Sequence, residues 1–210
     1  MQQLKMIVKQ MPVGPMANFG YLLGCEETRI GALIDPSFEP EKLVEMAKEV
    51  GLKIKWILST HGHFDHVNGN ETAVEMTGAK IAGHSSATFH VDHKLEHGDE
   101  IKIGNIPVEV LYTPGHCPDE VCFLVDKQIL FTGDVLFVGE CGRTDLPGSD
   151  PREMYKTLFE VLAPIADDVD IFPGHDYGSS SMSTMGFERK NNYVLEPRTE
   201  EEFVAFMKKP

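Results

Sequence analysis

Residues 60–66 read Thr-His-Gly-His-Phe-Asp-His, directly after the apolar run Trp56-Ile57-Leu58. Four side chains able to ligate a metal thus stand within six positions at the end of a predicted strand over residues 53–58. A ligand group has to be exposed, convergent and carried on a rigid support, and a strand end provides that support. His61 and His63 are two apart, so an extended backbone turns both to one side. Asp65 and His66 follow where the chain bends toward the next helix, so one segment can feed two metal ions. The blander reading is a polar loop with accidental histidines. Packing gives little reason for it, since every one of these side chains would need its own hydrogen-bond partner.

Three later segments repeat the theme. Tyr112-Thr113-Pro114-Gly115-His116, Leu130-Phe131-Thr132-Gly133-Asp134 and Ile171-Phe172-Pro173-Gly174-His175 each join an apolar strand, a turn glycine and a ligand-type residue. One alone reads as a structural turn. Together with the first cluster they place five histidines and two aspartates at strand ends.

Elsewhere the pattern predicts strands at 4–10, 18–24, 30–34, 79–82, 100–103, 106–113, 120–125, 129–132 and 169–172. Helices are predicted at 40–50, near 68–77, at about 150–162 and after Thr199. Pro40 suits a first turn, and Leu43, Val44 and Ala47 share a face that Gly51 terminates. Asp150-Pro151-Arg152-Glu153 and Thr199-Glu200-Glu201-Glu202 carry capping signals. Gly104-Asn105 and Asp126-Lys127-Gln128 mark hairpins. No repeat and no long linker divides the chain. The result is two mixed sheets covered by helices.

The 210 residues suit one domain with a sizeable core. Nineteen Lys+Arg against 33 Asp+Glu give a net charge of −14. That balance excludes a nucleic-acid binder and argues against docking on an anionic membrane. No apolar run is long enough to span a bilayer, and Met1–Gln10 lacks a signal-peptide pattern. Cys25, Cys117, Cys122 and Cys141 form no C-x-x-C pair. They read as reduced thiols in a cytoplasmic protein.

The T-H-x-H-x-D-H pattern at Thr60–His66, followed in order by His116, Asp134 and His175, closely resembles the metallo-β-lactamase superfamily over essentially the whole chain. The resemblance implies an αββα sandwich of two mixed β-sheets flanked by helices, in a single domain spanning 1–210. It implies one metal held by His61, His63 and His116, a second held by Asp65, His66 and His175, and Asp134 bridging them. Neutral imidazoles and carboxylates suit zinc, iron or manganese. Asp65 would also orient the attacking hydroxide shared by the two ions.

Two branches of the family compete. Gly142-Arg143-Thr144-Asp145-Leu146-Pro147-Gly148 and Ser183–Arg189 resemble compact glyoxalase II-like hydrolases, which cleave thioesters of the hydroxyacylglutathione type. The C-terminal helical domain that helps full-length glyoxalase II hold glutathione is not expected in 1–210. Cys141–Asp145, His175-Asp176-Tyr177 and Glu201–Val204 resemble persulfide dioxygenases, in which one Fe(II) sits on the equivalents of His61, His116 and Asp134 and a glutathione persulfide is oxidised. The hydrolase is the favoured reading, on the Leu146–Gly148 and Gly186–Arg189 segments.

Arg143 and Tyr177 are candidate substrate-binding residues beside the ligand segments, each with a structural role as the alternative. Arg189 reads as structural. Cys141 reads as a buried thiol, and Cys117 as a sheet residue facing away from the site. His84, His90, His93 and His97 form a second group with a helix-like His90–His93 spacing, but no family ligand maps there. The acidic stretches at Glu39–Glu49 and Glu200–Glu202 read as solvated helix faces. The expected partner is a small thioester or thiol-derived molecule, with no nucleic acid or membrane; a homo-oligomer is compatible with the sequence.

Overall fold

The computed structural model describes residues 5–208. The chain builds its two sheets one after the other. The first half runs β1 (Met6–Val13), β2 (Asn18–Cys25), β3 (Ile30–Ile34), α1 (Pro40–Glu49), β4 (Lys53–Leu58), α2 (Phe64–Val67), α3 (Asn70–Thr77), β5 (Lys80–His84) and β6 (His93–Leu95). These six strands form one sheet in sequence order, antiparallel from β1 to β3 and parallel from β3 to β6.

The second half runs β7 (Glu100–Ile103), β8 (Ile106–Tyr112), β9 (Val121–Val125), β10 (Ile129–Gly133), a small hairpin of β11 (Leu136–Phe137) and β12 (Glu140–Cys141), α4 (Pro151–Lys156), β13 (Asp170–Pro173), β14 (Ser183–Thr184), α5 (Met185–Asn191) and α6 (Glu200–Met207). The second sheet has the order β14-β13-β10-β9-β8-β7, with β10 and β13 parallel.

Alternation along the strands decides what each face meets. Tyr21, Leu23, Ile34 and Leu58 of the first sheet pack against Val108, Val110, Phe123 and Phe131 of the second. The opposite faces of the same strands offer Leu22, Leu33, Ile57 and Ile81 to Leu43, Val44 and Ala47 of α1 and Ala73 of α3. On the other flank, Leu111, Leu124, Leu130 and Ile171 meet Met154, Met185 and Phe203 of α4, α5 and α6. The layers are therefore helix, sheet, sheet, helix.

Most expected elements lie within a residue or two of their predicted bounds, with three differences. The first strand runs to Val13 because it pairs along the whole of β2; its predicted first residue, Leu4, lies outside the described residues. The helix expected near 68–77 is α3, and a separate short helix that the sequence reading does not include, α2, precedes it, so Asp65 and His66 are helical. The helix after Asp150 changes to a π-helical turn over Thr157–Val161, where the Thr157 hydroxyl donates to the Pro114 carbonyl. Strands β6 and β14 and helix α5 have no clear sequence signal, since their residues mix polar and apolar without a sustained period.

Candidate metal centre

The ligand-type residues sit along one edge, where the two sheets meet. Gly174 ties the edges together: its N–H donates to the Gly133 carbonyl and its own carbonyl accepts from Phe19 N–H, at 2.7 and 2.8 Å. Gly133 has φ +49, in the left-handed region that favours glycine, and a side chain there would meet Thr60 and Glu120. The β10–β13 register shifts between Phe131 and Gly133. That shift brings Asp134 and His175, at the ends of two parallel strands, to the same place.

All seven predicted ligands converge. His61, His63 and His116 offer nitrogens within 4.8 Å of one another, as do the ligand atoms of His61, His66 and Asp134, and of Asp65, His66 and His175. His63 Nδ1 lies 3.1 Å from His61 Nε2 and 3.0 Å from His116 Nε2. His66 Nε2 and His175 Nε2 are 3.2 Å apart. Asp134 reaches both groups: Oδ1 is 3.4 Å from His66 Nε2, and Oδ2 is 3.4 Å from His116 Nε2 and 3.3 Å from His175 Nε2. Ligand atoms about 2.0–2.1 Å from one cation would be spaced by roughly 3.0–3.4 Å, so these separations fit shared ions.

The hydrogen bonds behind the rings assign their tautomers. His116 Nδ1 donates to the Arg143 carbonyl at 2.9 Å, and His175 Nδ1 to the Met16 carbonyl at 2.9 Å. His66 Nδ1 donates to Asp35 Oδ2 at 2.9 Å. The Thr60 hydroxyl gives its proton to Asp35 Oδ2 at 2.6 Å, so its oxygen accepts from His61 Nδ1 at 3.1 Å. In their neutral forms all four rings then point an Nε2 lone pair inward. Lone pairs facing each other at such distances repel unless positive charge lies between them.

The electrostatics carry the same demand. Asp134 Oδ1 is buried with no hydrogen-bond partner among the described residues. Burial works against the Asp134 carboxylate, but His66, His175 and His61 hold it well below the ordinary carboxylate range. Burial also opposes a charged His66, yet Asp134, Asp35 and Asp65 outweigh it and push its pKa up to about 9. Burial and the neighbouring imidazoles push His61 and His63 down. Carboxylates and lone pairs aimed at one place make a cation sink, and the donor set is consistent with one or two metal ions.

Three supporting residues were not singled out from the sequence. Asp35, at φ +45 after β3, accepts from Thr60 N–H, Thr60 Oγ and His66 Nδ1. Its signal, an acid ending an apolar strand, was present but lacked the turn glycine of the other segments. Asn18 donates to Asp65 Oδ2 at 2.9 Å and to the Asp65 carbonyl at 3.1 Å. Glu120 is fully buried and accepts from Asp134 N–H at 2.7 Å. Burial and the facing Asp134 push its carboxyl well above the usual range.

The remaining candidates divide. Tyr177 stacks on the His175 ring with centroids 4.6 Å apart and is exposed. Arg143 spends its guanidinium on Asp145 in a two-pronged pair of 2.6 and 2.7 Å. Arg189 is structural, holding Asp167 and the carbonyls of Leu162, Ala163 and Ile165. Cys141 is buried, and burial with Glu140 nearby pushes its thiol up. The sheet position expected for Cys117 is corrected: it lies in the loop before β9, buried, and donates to Asp119 Oδ1 at 2.8 Å. The helix-like spacing of His90 and His93 is corrected too, because His93 opens β6 while His90 sits in the loop before it, paired with Asp92. His84 is buried, stacked on Tyr112 and bonded to Ser86. Among the described residues no helix is long and apolar enough to cross a membrane.

A sequence model of the metallo-beta-lactamase superfamily matches residues 14–175. A probable hydroxyacylglutathione hydrolase, glo2, of Schizosaccharomyces pombe is 37% identical over 172 residues, covering 78% of this chain and 66% of the relative; this chain thus spans just under two thirds of that protein. The human mitochondrial persulfide dioxygenase ETHE1 is 33% identical over 207 residues, covering 96% of this chain and 80% of the relative. The crystal structure of ETHE1 from Myxococcus xanthus superposes with a TM-score of 0.92 at 31% identity, covering 97% of this chain and 90% of that one.

Proposed function

The chain belongs to the metallo-beta-lactamase superfamily, and on that premise we propose that it is a metal-dependent hydrolase of thioesters or related acyl bonds. The observation that carries this reading is the shared position of Asp134 between two complete ligand triads. His61, His63 and His116 would hold one ion, Asp65, His66 and His175 the other, and Asp134 both. Two divalent ions there would supply a water deprotonated near neutral pH and positive charge for a developing oxyanion.

The chain's own groups supply the rest. Asp65 Oδ2 is fixed by the Asn18 amide at 2.9 Å and lies 3.4 Å from His175 Nε2. It is the least buried carboxylate of the set, placed to accept a proton from the attacking water as well as to ligate. Tyr177, stacked on His175 and 55% exposed, is the proposed hydroxyl donor to the substrate. Arg143 serves first as a support: its carbonyl fixes the His116 tautomer while its side chain holds Asp145.

A second reading, an iron-dependent persulfide dioxygenase, is supported by the longer match to ETHE1, 96% of this chain against 78% for the hydrolase. It would use one Fe(II) on His61, His116 and Asp134. Metal analysis with an oxygen electrode separates the two. Two ions per chain and thioester cleavage without oxygen uptake support the hydrolase. One iron and oxygen consumption on glutathione persulfide select the dioxygenase, and a chain that binds no metal removes both.

A further inference from the structure

Glu188, in α5, is fully buried and has no ion-pair partner among the described residues. Its Oε2 accepts from Gly139 N–H at 2.8 Å and from the Asn192 amide at 2.9 Å, while Oε1 is buried without a hydrogen-bond partner among the described residues. Taking a carboxylate out of water on such terms is unfavourable, and an apolar side chain would pack there without that penalty. Its two donors show what the carboxylate holds. Gly139 lies at the tip of the β11–β12 hairpin with φ +79, and the same Asn192 amide reaches the Glu140 carbonyl at 3.1 Å.

That hairpin is short for the position it has to define. Leu136 pairs with Cys141 and Phe137 with Glu140, and a two-stranded hairpin of this size has little stability of its own. Yet both of its ends run into the metal centre. Asp134, between the two triads, stands just before the first leg. Arg143, whose carbonyl takes the His116 Nδ1 proton, stands just after the second. Gly142 closes the base: its N–H donates to the Val135 carbonyl at 3.3 Å, and any side chain there would run into the Asp134 carbonyl and approach His116 Cβ. On the first leg, the Phe137 ring meets His175 edge-on with centroids 5.9 Å apart.

We propose that Glu188 is a positioning residue for the metal centre: by anchoring the hairpin tip and, through Asn192, its second leg, it sets the places of Asp134 and of the carbonyl that orients His116. The role needs a hydrogen-bond acceptor rather than a charge, because both partners of Oε2 are neutral donors. It rests on the reading of the cluster as a metal centre and on neither reaction.

Cobalt titration of Glu188→Ala, Glu188→Gln and Asn192→Ala, followed as separate absorption changes for the two positions, tests this. Glu188→Ala is expected to weaken the His61–His63–His116 position about tenfold, as loss of a supporting contact does. The Asp65–His66–His175 position should weaken less, since Asp35 and the Met16 carbonyl still orient its rings. Glu188→Gln keeps an acceptor and should bind as the parent does. Asn192→Ala keeps Glu188 and should show the same selective loss in weaker form. Hydrogen exchange of the metal-free protein adds a readout that needs no ion: residues 135–143 should exchange faster in Glu188→Ala, with β1 and α1 unchanged. Equal weakening at both positions, or faster exchange throughout the chain, would mean general loosening and overturns the proposal. So does Glu188→Gln binding as poorly as Glu188→Ala. If Glu188→Ala does not fold, the same split in Asn192→Ala decides. A parent protein that binds no cobalt removes the metal-centre reading and the proposal together, whereas bound cobalt with unchanged affinities in all three variants removes the proposal alone.

Discussion

His66 and His175 face each other with Nε2 atoms 3.2 Å apart while each ring's Nδ1 proton is already given away, one to Asp35 and the other to the Met16 carbonyl. Neither ring can donate to the other in its neutral form. Either a proton or a metal ion must stand between them, and the nearby Asp65 and Asp134 carboxylates favour both.

The metal-free protein should therefore be most stable near pH 6.5. His66 is raised to about 9 in the fold, so its contribution is complete below the unfolded value of about 6.5 and is lost as pH rises through 9, a change of about 3 kcal/mol. His61 and His63 are depressed, so the unfolded chain takes up their protons first and stability also falls below pH 6.5. Thermal unfolding after exhaustive chelation, followed from pH 5 to pH 9.5, should give a maximum that metal reloading flattens on its alkaline side. A chelated protein whose melting temperature rises steadily to pH 9.5 would contradict the His66 assignment.

Asp134 touches both triads, so Asp134→Ala should empty both. Affinity at each position should drop more than about 100-fold, beyond what loss of a supporting partner alone brings, and hydrolysis should vanish with it. Equilibrium dialysis with metal analysis provides the check. Two tightly held ions in the variant would show that Asp134 is not a shared ligand.

Asp35 acts on only part of the cluster. Asparagine tolerates the left-handed conformation at this position, so Asp35→Asn should fold while losing a charged partner for His66 Nδ1 and Thr60. Affinity at the Asp65–His66–His175 position should weaken about 10- to 100-fold, with a smaller effect at the His61–His63–His116 position. Cobalt titration, with separate absorption changes for the two positions, distinguishes this from a uniform loss.

Gly174→Ala probes the seam. A methyl group there would run into Asp134 Oδ1 and approach the Gly133 carbonyl carbon at 3.0 Å. The variant should lose about 1–3 kcal/mol of stability through overpacking and a larger share of its metal affinity. Retained affinity with lowered stability would mean that the carboxylate has room to move aside.

The ligands were legible in the sequence because each is announced locally, by an apolar run and an abrupt turn. The segments 30–34, 53–58 and 100–103 matched their strands for the same reason. The supports were not legible. Asn18, Asp35 and Glu120 are single polar residues beside ordinary strands, and only the meeting of chain segments far apart in sequence gives them their partners. Cys117 reads as a sheet residue but is buried within the loop before β9, and no alternation of residue types records burial of that kind.

The two halves of the chain each close their own sheet, yet they contribute to one cluster. His61, His63, Asp65 and His66 come from the first half, and His116, Asp134 and His175 from the second. Bringing His66 to His175 closes a stretch of 109 positions. An ion bound there is thus a removable staple between the halves. Its release would return to the chain the freedom lost on closing that long loop, and the Phe19–Gly174–Gly133 seam is where parting of the layers would begin.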